Sequence, residues 1–207
     1  MPRPRKLKRE AVFGAALALI DRDGLDNLSM RRLGDELGVE AMSLYRHVPS
    51  KAALLDGVHE AVLETMELSP LTSDWRSDAQ AMAFAFRSVL RAHPNTLVLF
   101  ATRPAVTPGS LRHVEHALTL LERPFPDLPR RIFALQALVS LCVGQGLNHF
   151  AATEPQAPVR YGTLLPDAFP VLSSIGEAAL NVDVDDEFSF ALEALLAGLA
   201  ALAETDR

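Results

Sequence analysis

Cysteine is all but absent. The 207-residue chain carries one, Cys142, so no internal disulfide can form, and a reducing cytoplasm is the expected compartment. Aromatic residues are scarce at 6%, and no stretch alternates β-branched with polar residues, which argues against sheets. No segment approaches the roughly 20 apolar residues that a membrane span needs, so no membrane partner is expected. The apolar run at residues 12–20 meets Asp21, Arg22 and Asp23 without a cleavage site, unlike a signal peptide. A Gly-rich phosphate loop, a Ser-His-Asp spacing and a carboxylate pair are all missing. Nothing marks an enzyme, and no cofactor is expected.

What is present is Leu and Ala, within a hydrophobic content of 49%. These residues favour helix, and the chain is long enough to bury a sizeable core. The net charge of −6 argues against non-specific nucleic-acid binding by the chain as a whole. The charge is uneven, however. Arg3, Arg5, Lys6, Lys8 and Arg9 crowd the N-terminus with no acid among them, while Asp183, Asp185, Asp186 and Glu187 gather late. A basic end on an acidic body points to an end that meets an anion.

Helical periodicity runs nearly throughout. A first helix is predicted over residues 8–22, with Val12, Phe13, Ala16, Leu17 and Ile20 as its apolar stripe and Gly24 ending it. Ser29 caps a second helix carrying Met30, Leu33 and Leu37, which stops at Gly38. A third, very short helix spans residues 41–47 before Pro49, and Ser50 caps a fourth over residues 51–66. Residues 68–74 read as a linker. Long amphipathic runs follow at residues 78–92, 108–121, 129–152 and 186–204, with a Pro-rich loop and a shorter helix at 171–180 between the last two.

Residues 29–48 therefore read as helix, tight turn, helix. Leu44 faces inward, packing with Leu33, Leu37 and Val39. At 3.6 residues per turn, Met42 and Arg46 then lie on the far side, with Ser43 and Tyr45 flanking. Such a face fits a DNA major groove. Arg46 can contact a guanine or a phosphate, Tyr45 and Ser43 can donate to phosphates, and Met42 can touch a thymine methyl. Lys51, at the start of the next helix, can grip a phosphate together with the helix N-terminal amides. On spacing alone the same residues also fit an ordinary exposed helical turn.

The stretch LSMRRLGDELGVEAMSLYRHVPSKAALLD closely resembles the DNA-binding domain of the TetR (tetracycline repressor) family. Gly24, Ser29, Leu37, Gly38, Val39, Leu44, Tyr45, His47 and Lys51 meet its pattern. The resemblance implies that Arg31 takes the place of a phosphate- or base-contacting arginine. It puts Ala41, Met42 and Ser43 at base-reading positions, and Tyr45, His47 and Lys51 at backbone-contacting ones. Ala41 departs from the pattern, since it lacks the amide that reads a base in the tetracycline repressor, so a different operator is expected. Trp75, AFRSVL, ATRP and EFSFALEALLAGLAAL fall in the order of the tetracycline-repressor subgroup, so the resemblance extends over most of the chain.

The resemblance implies an all-α protein. A three-helix helix-turn-helix DNA-binding domain, with a basic arm at Arg3 and Arg5, would occupy residues 1–67. A larger helical ligand-binding and dimerisation domain would occupy residues 68–207. It implies a homodimer that binds a palindromic operator in double-stranded DNA and is released by a small-molecule inducer. An activator of the same fold, or a helical small-molecule-binding protein whose helix-turn-helix is only structural, are the alternatives. The positions where the tetracycline repressor holds its drug and metal are here Glu67, Met82 and Phe100, which do not suit magnesium-tetracycline. Met82, Phe86 and Phe100, with the Thr102, Arg103 and Pro104 loop, would line a mainly apolar site, unless the first three simply fill the core.

Three further features carry less. His113 and His116 lie one turn apart but have no third ligand nearby, so they read as exposed surface histidines and no metal site is expected. Cys142, in an apolar run, reads as a buried packing residue. The glycines of VGQGLN are expected to admit a close partner helix.

Overall fold

The structure, a computed structural model, describes residues 7–151, 168–175 and 182–205. The arm residues Arg3 and Arg5, most of the Pro-rich loop and the second half of the helix expected at 171–180 lie outside them. Among the described residues every regular element is a helix.

Helix α1 (Arg9–Asp23) buries Val12, Phe13, Ala16, Leu17, Leu19 and Ile20, the predicted stripe plus one residue. Helix α2 (Met30–Leu37) starts at Ser29, whose side chain accepts from the Arg32 N–H at 3.2 Å, and α4 (Lys51–Leu63) starts at Ser50, which accepts from Ala53 N–H at 3.1 Å. Such caps are worth about 1 kcal/mol each. Between them sits α3 (Ala41–Leu44), a single turn continued by the Val48 N–H to Leu44 C=O bond at 2.9 Å. Leu33, Leu44, Val48 and Leu54 are all fully buried in one core with α1. A side chain of that kind contributes about 1.5–3 kcal/mol on burial, and that anchorage, not its own length, holds α3.

The turn between α2 and α3 rests on two glycines. Gly38 has φ 65° and ψ 32°, a left-handed conformation that side chains disfavour. At Gly34 an added Cβ would stand 2.7 Å from the Val39 carbonyl oxygen and 3.2 Å from the Ala41 nitrogen, so α3 folds back directly onto the α2 backbone.

The second core is built from α5 (Trp75–Ala92), α6 (Leu97–Thr102), α7 (Pro108–Leu120), α8 (Leu128–His149) and α10 (Val184–Glu204), while a short α9 (Pro170–Ile175) buries none of its residues. Helix α6 had no counterpart among the sequence expectations. Gly146 on α8 seats the Leu97 side chain of α6, since a Cβ there would meet Leu97 Cδ2 at 2.6 Å; Gly144 faces open space. The acids near residue 185 have a structural use. Asp183 caps α10, accepting from the Asp185 and Asp186 N–H groups, and the first-turn acids suit the helix N-terminus. Asp185 also holds the buried Arg87 at 2.7 Å, and that guanidinium stacks over the rings of Phe188 and Phe150. The hydrogen bond from Arg87 holds the Asp185 carboxyl below its usual range.

Two expectations are corrected. Helix α8 is long and apolar enough, by length and composition, to cross a membrane, because Pro129, Arg130 and Arg131 interrupt only its first turn. Its inner side is nonetheless packed, with Ala134, Cys142, Val143 and Gly146 buried. His113 is not exposed but 7% accessible, because it shares the inward face of α7 with Gly109, Ala117 and Leu120. Its Nδ1 lies 3.0 Å from the Gly109 carbonyl oxygen and its Nε2 3.4 Å from that of Met66.

Candidate nucleic-acid interface and ligand cavity

With Leu44 fixed in the core, α3 turns Met42 outward at 73% exposure and Tyr45 at 43%. Arg31, Arg46 and Lys51 are also exposed, and Ala41, Ser43 and His47 are half-buried on the same rim. Among the described residues none of the side chains of Arg31, Ser43, Tyr45, Arg46, His47 or Lys51 has a hydrogen bond or ion pair. The neighbouring cations are committed to the scaffold: Arg32 reaches Asp23 at 2.7 Å and the Asn27 carbonyl at 3.2 Å, while Arg22 reaches Glu36 at 3.0 Å. Among the described residues Arg31, Arg46 and Lys51 are thus left unpaired while Arg22 and Arg32 are engaged.

The two hydrophobic cores meet around Met82, Phe86 and Phe100, which pack against both. Beside them opens a cavity of about 560 Å³. All six residues singled out from the sequence, Met82, Phe86, Phe100, Thr102, Arg103 and Pro104, line it; Met82, Phe86 and Phe100 therefore do not close the core. Its volume and mainly apolar wall match small-molecule sites. Glu67, by contrast, is exposed and lies off this cavity, against a separate small groove.

The wall includes residues that sequence reasoning missed. His59, on α4, is 6% exposed and its ring lies 4.3 Å from that of Phe100. Burial pushes its imidazole down to about 4, with Asp56 opposing and Arg103 reinforcing that shift. A histidine inside the apolar run LLDGVHEAVL was the available signal. His113, Gln136 and Cys142 also reach the cavity. Cys142 is buried as expected, and burial pushes its thiol up to about 12, so it is inert packing. No group of three metal-ligating side chains forms among the described residues.

Both ends of α6 grip the helix-turn-helix half. Before it, Asn95 Nδ2 donates to the carbonyls of Ile20 (3.0 Å) and Asp21 (3.1 Å) at the end of α1, and His93 pairs with Asp21 at 2.9 Å. After it, Arg103 binds Asp56 at 2.6 Å and the Ala52 carbonyl at 3.1 Å on α4.

A helix-turn-helix with an unpaired outer face, joined to a helical body with a cavity, defines a ligand-binding transcriptional regulator. Residues 12–58 match the family of bacterial regulatory proteins described as tetR family, and residues 69–203 match the tetracyclin repressor-like C-terminal domain. The chain belongs to the TetR family: it is a transcriptional repressor with a ligand-binding C-terminal domain, and not an enzyme. It is 32% identical over 217 residues to the HTH-type transcriptional repressor DrrR1 of Streptomyces coeruleorubidus, covering 97% of this chain and 80% of that protein. It is 29% identical to the class G tetracycline repressor protein of Vibrio anguillarum, over 95% of each. Apo ActR from Streptomyces coelicolor superposes with a TM-score of 0.87 at 26% identity, covering 99% of this chain and all of that one. ActR in complex with actinorhodin gives 0.85 at 27% identity, covering 96% and 99%.

Proposed function

We propose that the protein is a homodimer that represses by holding a palindromic operator and lets go when a small, mainly apolar molecule fills the cavity. In this reading residues 1–67 bind DNA and residues 68–207 bind ligand and dimerise. Met42 and Ser43, with Ala41, read bases. Tyr45, His47 and Lys51 hold phosphates, Arg31 and Arg46 meet bases or phosphates, and the arm with Arg3 and Arg5 adds sequence-independent charge. A two-fold axis sets two copies of α3 about 34–36 Å apart or a multiple of that. Dimerisation is supported by two exposed apolar stripes. Leu128, Ile132 and Phe133 stand 64%, 48% and 67% exposed on α8, and Phe190 and Leu202 stand 76% and 57% exposed on α10. Ala194, Ala197, Gly198 and Ala201 keep that face of α10 flat. Packing across the axis would also cover the apolar outer side of α8.

The observation that carries the reading is the cavity seated against both α4 and α6. A ligand that moves Phe100 or Thr102 moves Arg103, and through Asp56 and Ala52 it moves the helix that leads to the DNA-reading turn. The ligand's unequal affinity for the two positions of α4 supplies the switch. DrrR1 is named a repressor, and ActR was solved with actinorhodin bound, which supports repression relieved by a small molecule. Magnesium-tetracycline is not expected: Met82 and Phe100 offer a thioether and a phenyl ring where a metal-bound drug needs an amide and an imidazole. The test is selection of bound genomic DNA, followed by a release screen of small molecules with and without magnesium. Release by apolar compounds without metal supports the reading; magnesium-dependent release by a tetracycline would falsify it.

A further inference from the structure

The reading of the cavity as the inducer site leaves open what chemistry it selects, and most of its polar groups are already used. Thr102 Oγ1 donates to the Val98 carbonyl at 2.6 Å. Arg103 is bound to Asp56 and Ala52. The ring nitrogens of His113 lie beside the carbonyls of Gly109 and Met66. Gln136 is exposed and can be served by water. His59 differs from all of these. It is buried to 94% by the complement of its 6% exposure, it lines the cavity, and its ring nitrogens have no hydrogen-bond partner among the described residues.

The surroundings of His59 are aromatic. Its ring stands 4.3 Å from Phe100 at an angle of 32°, and Phe86 meets Phe100 edge-on at 5.6 Å. No further ring fits between His59 and Phe100 at that spacing, so an aromatic ligand must lie along the wall the three rings make, where offset and edge-on geometries are favourable. We propose that His59 is the specificity-determining residue of the cavity, and that it selects planar polycyclic aromatic ligands bearing a phenolic hydroxyl. This proposal rests on the cavity being the inducer site. A neutral imidazole presents one donor and one acceptor, and a phenol complements either. The lowered proton affinity of the ring keeps it neutral at physiological pH. A flat ligand without a hydroxyl leaves the buried imidazole unpaired, a penalty that an aliphatic site would not impose. Because His59 lies on α4, one turn beyond Asp56, the same hydrogen bond ties the ligand to the helix that carries the DNA-reading domain.

The experiment measures equilibrium binding of two probes to the full-length protein: a dihydroxyanthraquinone with hydroxyls away from the ring carbonyls, and the parent anthraquinone. The wild-type protein should prefer the hydroxylated probe by at least about tenfold. His59→Phe, which keeps a ring against Phe100, should abolish that preference without weakening the parent compound, and His59→Gln should restore part of it. A preference that survives in His59→Phe overturns the proposal. Equal binding of both probes to the wild type also overturns it while leaving the cavity reading intact. Binding of neither probe, with no response to a panel of aliphatic compounds, removes the cavity reading as well. If His59→Phe fails to fold, the wild-type preference and its change in His59→Gln decide the matter.

Discussion

Arg103, the first residue after α6, holds Asp56 of α4 at 2.6 Å, with both side chains about three-quarters buried. One carboxylate thus joins the cavity wall to the DNA-reading domain. Replacing Asp56 by Asn keeps the shape and removes the charge that pulls on Arg103. The expected outcome is ligand affinity within a few-fold of wild type but a loss of ligand-driven DNA release, since the coupling between sites in such proteins amounts to about 1–3 kcal/mol. Calorimetry for the ligand and fluorescence anisotropy for labelled operator separate the two; full release by Asp56→Asn would discard this link.

DNA binding should weaken steeply with salt, with log affinity falling by about 0.9 per neutralised phosphate for each unit of log salt. Tyr45→Ala should weaken binding to every sequence alike, because the proposed reading gives its exposed hydroxyl to a phosphate rather than to a base. Met42→Ala should change base preference by about tenfold at one position of each half-site, within the range of a base contact. Competition binding against a randomised operator library reads both effects. Insensitivity to salt and to sequence would contradict the assignment of α3.

Why was the DNA-facing half so readable in the sequence? Its cues are local. Ser29 and Ser50 cap the helices they precede, Gly38 takes the left-handed turn, and Leu44 at its spacing could only face inward. Helix α6 escaped because LVLFAT is too short to display a helical period. His113 was misjudged because its surroundings, the end of α4 and the Met66 carbonyl, lie 47 residues away in the chain. His59 escaped for the same reason: only the meeting of α4 with α6 puts its ring against Phe100. The six cavity residues came from the family resemblance, and periodicity alone gave no way to separate a cavity wall from a filled core.

The apolar stripes of α8 and α10 predict a dimer that two charges can split. In sedimentation at micromolar concentration the wild type should run as a dimer. Phe133→Glu combined with Phe190→Glu should run as a monomer with unchanged helical content, since both rings are largely exposed in the single chain and leave its own cores alone. A compact wild-type monomer would overturn the dimer.

At Gly34 an alanine methyl would press on the Val39 carbonyl oxygen at 2.7 Å, and backbone cannot swing aside as a side chain can. Gly34→Ala should therefore cost about 1–3 kcal/mol, the range of an overpacked core, and lower the melting temperature by several degrees. Gly144→Ala, which meets nothing within 4 Å in the single chain, should leave the monomer's packing untouched. Thermal unfolding of the two variants side by side checks the contrast.

Acid should loosen the protein through His59 in a window set by its own titration. The ring takes up a proton near pH 6.5 in the unfolded chain but only near 4 when folded, chiefly because burial disfavours its charge. Between those values the unfolded state holds more protons, so stability rises with pH and is lost as pH falls. From pH 7 to pH 5 the loss from this one group amounts to about 2 kcal/mol, worth about 4–8 °C of melting temperature for a chain of this size. Other histidines and the carboxylates also respond to acid, so the informative quantity is the difference from His59→Phe, which has no proton to take up at that position. The wild type should lose the additional 4–8 °C over that interval relative to the variant. Parallel melting curves for the two proteins from pH 7 to 5 would mean that His59 is solvated in the folded state, and the hydrogen-bonding role assigned to it in the cavity would fail with the same measurement.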